Sequence, residues 1–211
     1  MDPDGNGEET TRVNSSEVAT ESTSEKALAL CSACSRPLGF SDSNASSFSL
    51  FKWQVNVGQQ EPEGPASGPS LAQCVSAILL ATIARTGSSK TILMPLEITH
   101  MKPNPDIPKS TRDIQPKSLL NLWVFNGNIT FSSTEEASSP VKAIKVLYRF
   151  VSQEEADKAL ESMTSDAQDI ALPADAINGV VDILAKSNSL IPESDRYFKE
   201  WTVGLIEKWV G

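Results

Sequence analysis

"SLLNLWVFNGNITF", residues 118–131, decides the fold class of this chain. Two runs rich in β-branched and aromatic residues flank Asn126 and Gly127, and this pair suits the positive backbone angles of a two-residue hairpin turn. The stretch therefore predicts two antiparallel strands joined at Asn126 and Gly127. After a short polar loop, "VKAIKVLYRF", residues 141–150, alternates two sets of side chains, which predicts a further strand.

Two strands and a helix are predicted on the N-terminal side of the hairpin. "SFSLFKWQVNV", residues 47–57, alternates so that one face is apolar, and "KTILMPLEI", residues 90–98, is rich in β-branched residues. Between them, Ser70 is placed to cap a helix that ends near Gly87. Its predicted inner face repeats at three- and four-residue steps: Leu71, Cys74, Val75, Ile78, Leu79 and Thr82.

Two more helices are predicted on the C-terminal side. Ser152 with Glu155 three places on forms a capping-box pattern, which predicts a short helix. A brief strand at 170–172 precedes a helix that starts at Pro173, whose fixed backbone angle suits the first turn. Asn188 is expected to end this helix in the left-handed conformation. The predicted inner stripe is Ile177, Val180, Val181 and Leu184.

The closing segment "KEWTVGLIEKWV", residues 199–210, predicts a last strand, since Gly204 disfavours the helical alternative by about 1 kcal/mol relative to Ala. The sum is an α+β fold: a mainly antiparallel sheet of about six strands with about three helices packed on it. Residues 1–26 are expected to be a disordered acidic tail or linker, because residues 1–25 hold seven acidic residues, one Arg and no aromatic. Residues 27–211 form the predicted folded domain.

Composition excludes several classes of partner. The net charge of −9 and the lack of a basic patch with interleaved aromatics predict no direct binding to nucleic acid. No stretch approaches the roughly 20 apolar residues of a membrane span, and the first residues lack the pattern of a signal peptide. With an odd number of cysteines, 3 in all, we expect a reducing compartment, either cytoplasm or nucleus or both.

"CSACSRPLGF", residues 31–40, contains the candidate metal ligands. Cys31 and Cys34 have the spacing by which one tight turn presents two thiolates to zinc, but a closed structural site takes four ligands. The rest of the chain offers Cys74 and His100, and neither belongs to a second paired motif. The two cysteines are therefore either zinc ligands in a fuller context or free structural thiols, and zinc requires a second cysteine pair from outside this chain.

No residue is assigned a catalytic role. Cys74 falls on the inner face of its helix and is expected to be a small buried core residue. His100 starts a proline-rich connection and is expected to be a solvated side chain. The adjacent carboxylates at 135–136 and 154–155 are expected to be solvated surface pairs.

Motifs near the C-terminus resemble a known family. "VKAIKVLYR", then "ALP", then "SNSLIPESDRYFKEWTVGLIEKW" is similar to the C-terminal signature of the HECT-like ubiquitin-conjugating-enzyme-binding family. "CSACSRPLG" resembles the second Cys-x-x-Cys of that family. In the C-terminal block, Ile191 stands where Leu is commoner in the family. The matching positions are 145–148, Leu172, Pro173, Ser187, Asn188, Pro192, Ser194 and Arg196, with Ala72, Gln73 and Cys74 in the first helix.

The resemblance implies a fold similar to that of HECT ligases and a role in ubiquitin transfer by binding a charged conjugating enzyme. It also implies that family members are longer at the N-terminus and carry the further cysteine pair there. HECT ligases accept ubiquitin on a cysteine near the C-terminus, whereas no cysteine follows Cys74 here, so ligase activity by scaffolding is expected. The alternative that the resemblance implies is a non-enzymatic assembly factor for the pre-mRNA cleavage and polyadenylation endonuclease. Arg196, Tyr197 and Lys199 are candidate partner contacts, although Arg196 also suits a role in capping the preceding helix.

Overall fold

The structure is a computed structural model that describes residues 26–42, 46–55, 68–96, 119–133, 137–162 and 165–209. The described part contains three α-helices and two β-sheets, so the predicted α+β class is confirmed. No helix in these ranges is long and apolar enough to cross a membrane. Residues 1–25 of the tail predicted at 1–26, together with His100 and the carboxylates at 135–136, lie outside the described residues, whereas Lys26 begins the first strand.

A small antiparallel sheet contains the turn with Cys31 and Cys34 between its first two strands. Its strands follow the order β1, β2, β3, and they are β1 (Lys26–Leu30), β2 (Pro37–Asp42) and β3 (Ser47–Leu50). The strand predicted over 47–57 is too long, because the chain turns after Leu50 and forms a single 3₁₀ turn at Lys52–Gln54. This turn lets the Trp53 ring stack on Phe51, with centroids 4.8 Å apart, and pack against the main core.

The main sheet has six strands in the order β7, β4, β5, β6, β9, β8. The β4–β7 pair is parallel and the other four pairs are antiparallel, which agrees with a mainly antiparallel sheet. The strands are β4 (Lys90–Pro95), β5 (Leu119–Ser133), β6 (Ala137–Val151), β7 (Gln168–Leu172), β8 (Tyr197–Phe198) and β9 (Trp201–Glu207). The closing strand predicted around Gly204 is confirmed as β9.

The predicted turn at Asn126 and Gly127 is wrong. β5 runs on to Ser133, and β6 pairs with it on both sides of the Asn–Gly pair. Register shifts on either side of Asn126 mark a β-bulge, and the Asn126 Oδ1 accepts a hydrogen bond of 2.9 Å from the backbone N–H of Asn128. Gly127 does not adopt the positive φ that the turn requires. Because β6 is long enough to pair with both apolar runs, the irregularity is absorbed within one strand.

All three helices begin at predicted signals. α1 (Leu71–Thr86) follows a capping box formed by Ser70 and Gln73, and it ends at Gly87, whose φ is 78°. α2 (Gln153–Glu161) begins at the predicted capping box of Ser152. α3 (Ala174–Ser189) follows Pro173, which is its N-cap rather than its first helical residue.

The main core lies between one face of the six-stranded sheet and helices α1 and α3. Its sheet side comes from alternating residues of β5 and β6, and its α3 side includes the predicted Ile177, Val180 and Leu184. The buried face of α1 is rotated from the prediction, since Ala72 and Ser76 are buried and Cys74 is only partly buried. On the opposite face of the sheet, α2 covers one end, where Ala156 packs with Ile92, Leu119 and Val151.

Candidate functional site

The predicted metal ligands lie in the turn between β1 and β2. The backbone N–H of Ser35 donates to the carbonyl of Cys31 at 2.8 Å, and the N–H of Cys31 donates to the carbonyl of Arg36 at 2.9 Å. The pKa of the Cys31 thiol is lowered because the backbone N–H groups of Ala33 and Cys34 donate to its sulfur, with a smaller contribution from the Cys34 side chain. The turn therefore stabilises a thiolate at Cys31.

This turn fits half of a zinc site. Backbone N–H groups that point at a cysteine sulfur favour the thiolate, which is the form that binds a metal. Within the described ranges, however, no group of three or more His, Cys, Asp or Glu side chains is gathered for a metal ion. The involvement of Cys31 and Cys34 in zinc binding stays a prediction.

Cys74 lies on α1 and is partly rather than fully buried, so the expectation that it is a buried core residue is wrong. Burial raises the pKa of its thiol, while the positive charge of Lys52 opposes this shift. A thiol with a raised pKa is a weak nucleophile at neutral pH. Cys74 is therefore poorly suited to accept an acyl group.

The carboxylate at 155 has a structural role. The backbone N–H of Ser152 donates to the Glu155 Oε2 at 2.9 Å, and the Ser152 hydroxyl donates to the same oxygen at 3.2 Å. These two bonds lower the pKa of Glu155, and the charges of Arg149 and Lys158 contribute further. Because the carboxylate closes the N-terminus of α2, it serves as a helix cap.

Asn188 connects α3 to the last strand. α3 continues one residue beyond it, and the C-cap Leu190 is right-handed, so the predicted left-handed cap at Asn188 is wrong. The Asn188 amide instead donates to the carbonyl of Val203 at 2.8 Å and to that of Arg196 at 3.2 Å. The backbone of Asn188 stays helical, and its side-chain amide makes these long-range hydrogen bonds in place of a cap.

Ser187 completes this connection. Its hydroxyl accepts a hydrogen bond of 2.8 Å from the backbone N–H of Leu205 and donates to the carbonyl of Leu184 at 2.9 Å. β8 is two residues long, so it leaves this part of β9 without a neighbouring strand on that side. The Ser–Asn pair of the signature therefore satisfies the edge of β9 with side chains, which protects a sheet edge.

Arg196 makes structural contacts beyond the end of α3. Its Nε donates to the carbonyl of Ile191 at 2.8 Å, and a terminal nitrogen donates to the carbonyl of Ser189 at 3.0 Å. The capping interpretation of Arg196 is therefore confirmed. Tyr197 and Lys199 are exposed, as a contact surface requires.

Three aromatic rings lie on the sheet face opposite α1 and α3. Trp123 meets Phe125 and Trp201 edge-on, with ring centroids 6.1 Å apart in each pair. Trp201 is buried, Trp123 is half-buried and Phe125 is 57% exposed. The rings thus form a layer that is closed beneath and partly accessible above.

Three cationic side chains lie above these rings. Each is half-buried and comes from a different position on β4 or β6. The distances from cation to ring centroid are 5.7 Å for Lys90 and Trp123, 5.9 Å for Lys145 and Phe125, and 5.1 Å for Arg149 and Trp201. We call the surface formed by Lys90, Asn121, Trp123, Phe125, Lys145 and Arg149 the open face.

Two polar atoms of the open face have no hydrogen-bond partner among the residues described. Asn121 and Arg149 are direct cross-strand partners on β5 and β6. The Asn121 Oδ1 and the Arg149 Nε are both buried and unpaired, and Asn121 is only 6% exposed. Such atoms are uncommon in native structures and each requires an explanation. Neither residue was predicted to be functional, although Asn121 interrupts an apolar run in β5.

The described residues form a mainly antiparallel sheet with a partly accessible aromatic and cationic face. The chain belongs to the HECT-like ubiquitin-conjugating enzyme (E2)-binding family, whose model matches residues 7–203. A 79-residue stretch is 35% identical to an uncharacterized protein of Schizosaccharomyces pombe. The match covers 37% of this chain and 23% of the yeast protein. No solved structure matches the chain.

Proposed function

We propose that this protein binds a ubiquitin-conjugating enzyme and promotes ubiquitin transfer from it as a scaffold, without forming a thioester itself. Membership of the E2-binding family supports the choice of partner. A scaffold accelerates transfer by holding the charged enzyme near an acceptor amine, which requires orientation rather than a nucleophile.

The state of the three cysteines carries this proposal. Cys31 and Cys34 share one tight turn, and Cys74 has a raised pKa because it is partly buried. A transthiolating ligase needs an accessible thiol of low pKa that the conjugating enzyme can approach. Cys74 lacks the low pKa. Cys31 has a lowered pKa, so the proposal requires that its thiolate is held in the turn or bound to a metal rather than offered to ubiquitin, and the test includes this cysteine.

Single-turnover discharge of charged conjugating enzymes tests the proposal. Each member of a panel of E2 enzymes is loaded with ubiquitin, separated from the activating enzyme, and mixed with free lysine in the presence or absence of this protein. We expect faster discharge for at least one E2, and the same acceleration with Cys74→Ser. A ubiquitin adduct on any cysteine of this protein that is lost with a thiol reductant would show transthiolation and overturn the scaffold mechanism, and its absence from Cys74→Ser or from Cys31→Ser would identify the acceptor. No complex and no acceleration with any E2 would overturn E2 binding as well.

The second proposed role, as an assembly factor for the pre-mRNA cleavage endonuclease, rests on the family resemblance alone. It predicts that the purified nuclease subunit is retained by this protein in the absence of any conjugating enzyme. Retention only when a charged E2 is added would favour the nuclease as a ubiquitination substrate instead.

A further inference from the structure

We propose that the open face binds an extended acidic segment of a partner protein. This inference is independent of the proposed E2 partner, because it concerns the chemistry of the bound segment and applies to any protein that carries one. Three features of the open face lead to it: two unpaired polar atoms, a cluster of cations and an accessible aromatic layer.

The unpaired atoms match the main chain of a peptide. The Asn121 Oδ1 is an acceptor that lacks a donor, and the neighbouring Arg149 Nε is a donor that lacks an acceptor. A peptide backbone offers one N–H and one C=O per residue, so an extended segment that displaces the side chains covering these two buried atoms can donate to Asn121 and accept from Arg149. Binding would remove the cost of leaving both groups buried and unpaired.

The charge of the face indicates that this segment is acidic. Lys90, Lys145 and Arg149 lie together in a chain whose net charge is −9, so the open face is locally opposite in sign to the molecule as a whole. One carboxylate, Glu155, lies 3.8 Å from Arg149 at the margin of the face. Asp or Glu side chains of a bound segment would complement the remaining cations and guide its approach.

The aromatic layer favours a peptide over single-stranded nucleic acid. Nucleobases bind such surfaces by stacking on free ring faces. Here each ring already has a cation above it, so a base would have to displace that cation before stacking. Carboxylates can reach the same cations without moving them, and apolar side chains of a peptide can contact the 57% exposed Phe125 from the side.

Selection from a phage-displayed random-peptide library against the full chain tests the proposal. We expect the selected peptides to be enriched in Asp and Glu with interspersed apolar residues. The strongest peptide, labelled with fluorescein, is then titrated with each variant, and affinity is measured by fluorescence anisotropy at low and high salt. The double variant Lys90→Glu/Lys145→Glu should weaken binding by roughly tenfold or more, and added salt should weaken binding to the unmodified protein.

Lys142→Glu is the matched control, because Lys142 is exposed on the same strand as Lys145 but alternates to the other face. It reverses one charge, half of the change in the double variant, and should leave binding intact. Asn121→Leu tests the main-chain pairing separately: it removes the acceptor without changing charge and should weaken binding at every salt concentration. Thermal unfolding of each variant identifies those that lose binding by unfolding, and Arg149→Lys then replaces Asn121→Leu as the test of the unpaired atoms.

Three outcomes would overturn the proposal. The first is a library that yields no peptide above background or yields basic peptides. The second is acidic peptides that bind the Lys90→Glu/Lys145→Glu variant as tightly as the unmodified protein. The third is binding of an oligouridine to the open face that disappears in the same double variant. If the oligouridine also displaces the selected peptides at lower concentration, the face is assigned to nucleic acid.

Discussion

Replacing Asn188 tests whether the family signature is structural. Its side-chain amide is shared between the carbonyls of Val203 and Arg196. The Arg196 carbonyl also accepts the backbone N–H of Val203 at 2.8 Å, so it keeps a partner when the amide is removed. The Val203 carbonyl faces the side of β9 that β8 is too short to cover, and in Asn188→Ala it loses the amide donor described for it. Val203 is 2% exposed, so water cannot easily replace that donor.

The expected cost follows from this difference. A buried carbonyl that loses its donor costs about 1–3 kcal/mol, so Asn188→Ala should lower the free energy of unfolding by about 2 kcal/mol. For a domain of this size, 1 kcal/mol shifts the melting temperature by roughly 2–4 °C, which gives a decrease of about 4–8 °C. Asn188→Asp should be worse, because an ionised carboxylate has no donor and would face two carbonyl oxygens.

Thermal and urea unfolding followed by circular dichroism measure the effect. Ser194→Ala is the control within the same signature. Among the described residues, the exposed Ser194 hydroxyl donates to the adjacent Asp195 carboxylate at 3.2 Å and to no other group, so the change should alter stability by less than about 0.5 kcal/mol. Lowering the pH should partly rescue Asn188→Asp, since a protonated carboxyl regains one donor. Equal stabilities for Asn188→Ala and Ser194→Ala would refute the assigned role of the amide.

Three further predictions follow from the same structure. Gly204→Ala should cost about 1–3 kcal/mol in denaturant unfolding, because the new Cβ would lie 2.6 Å from the Leu184 Cδ2; Leu184→Ala should make the glycine change nearly neutral, and additive effects would contradict the clash. The pKa of Cys31 is lowered and that of Cys74 is raised, so Cys31 holds the larger fraction of thiolate at a given pH. At about pH 8 iodoacetamide should therefore modify Cys31 first, and Cys74 only as the pH rises, as followed by mass spectrometry. Ser152→Ala should lower the free energy of unfolding by about 1 kcal/mol at neutral pH. The difference from the unmodified protein should shrink at acid pH, because the Glu155 carboxylate that Ser152 holds becomes protonated. A difference that stays the same across this pH range would exclude the capping box as its cause.

Local signals predicted the helices and most strands. The capping boxes at Ser70 and Ser152, and the stop at Gly87, depend on hydrogen bonds within a few residues, so the residues that make them are adjacent in the chain. The same locality explains why the closing strand around Gly204 was predicted correctly. It also explains the error at Asn126, because the local preference for a turn could not reveal a partner strand that extends past it.

The candidate site was harder to predict, since its residues meet only across the sheet. The alternation of residues 141–150 puts Lys145 and Arg149 on one side of a strand, but nothing in that alternation places Arg149 opposite Asn121 or Trp201. Register between strands depends on the packing of the whole sheet, and one bulge at Asn126 changes which side chains are paired beyond it.

The amino-acid sequence by itself determined the three helices, most strands of the main sheet, the α+β class and the family, because these depend on periodicity, caps and motifs that are read along the chain. Tertiary structure alone decided that Asn188 holds β9 rather than ending α3, and that Asn121 and Arg149 leave two atoms unpaired on the open face. The physical reason is that a side-chain amide bonds whichever partner the fold brings within about 3 Å. The partner of Asn188 is 15 residues away in the chain, and the fold brings no described donor to the Asn121 Oδ1.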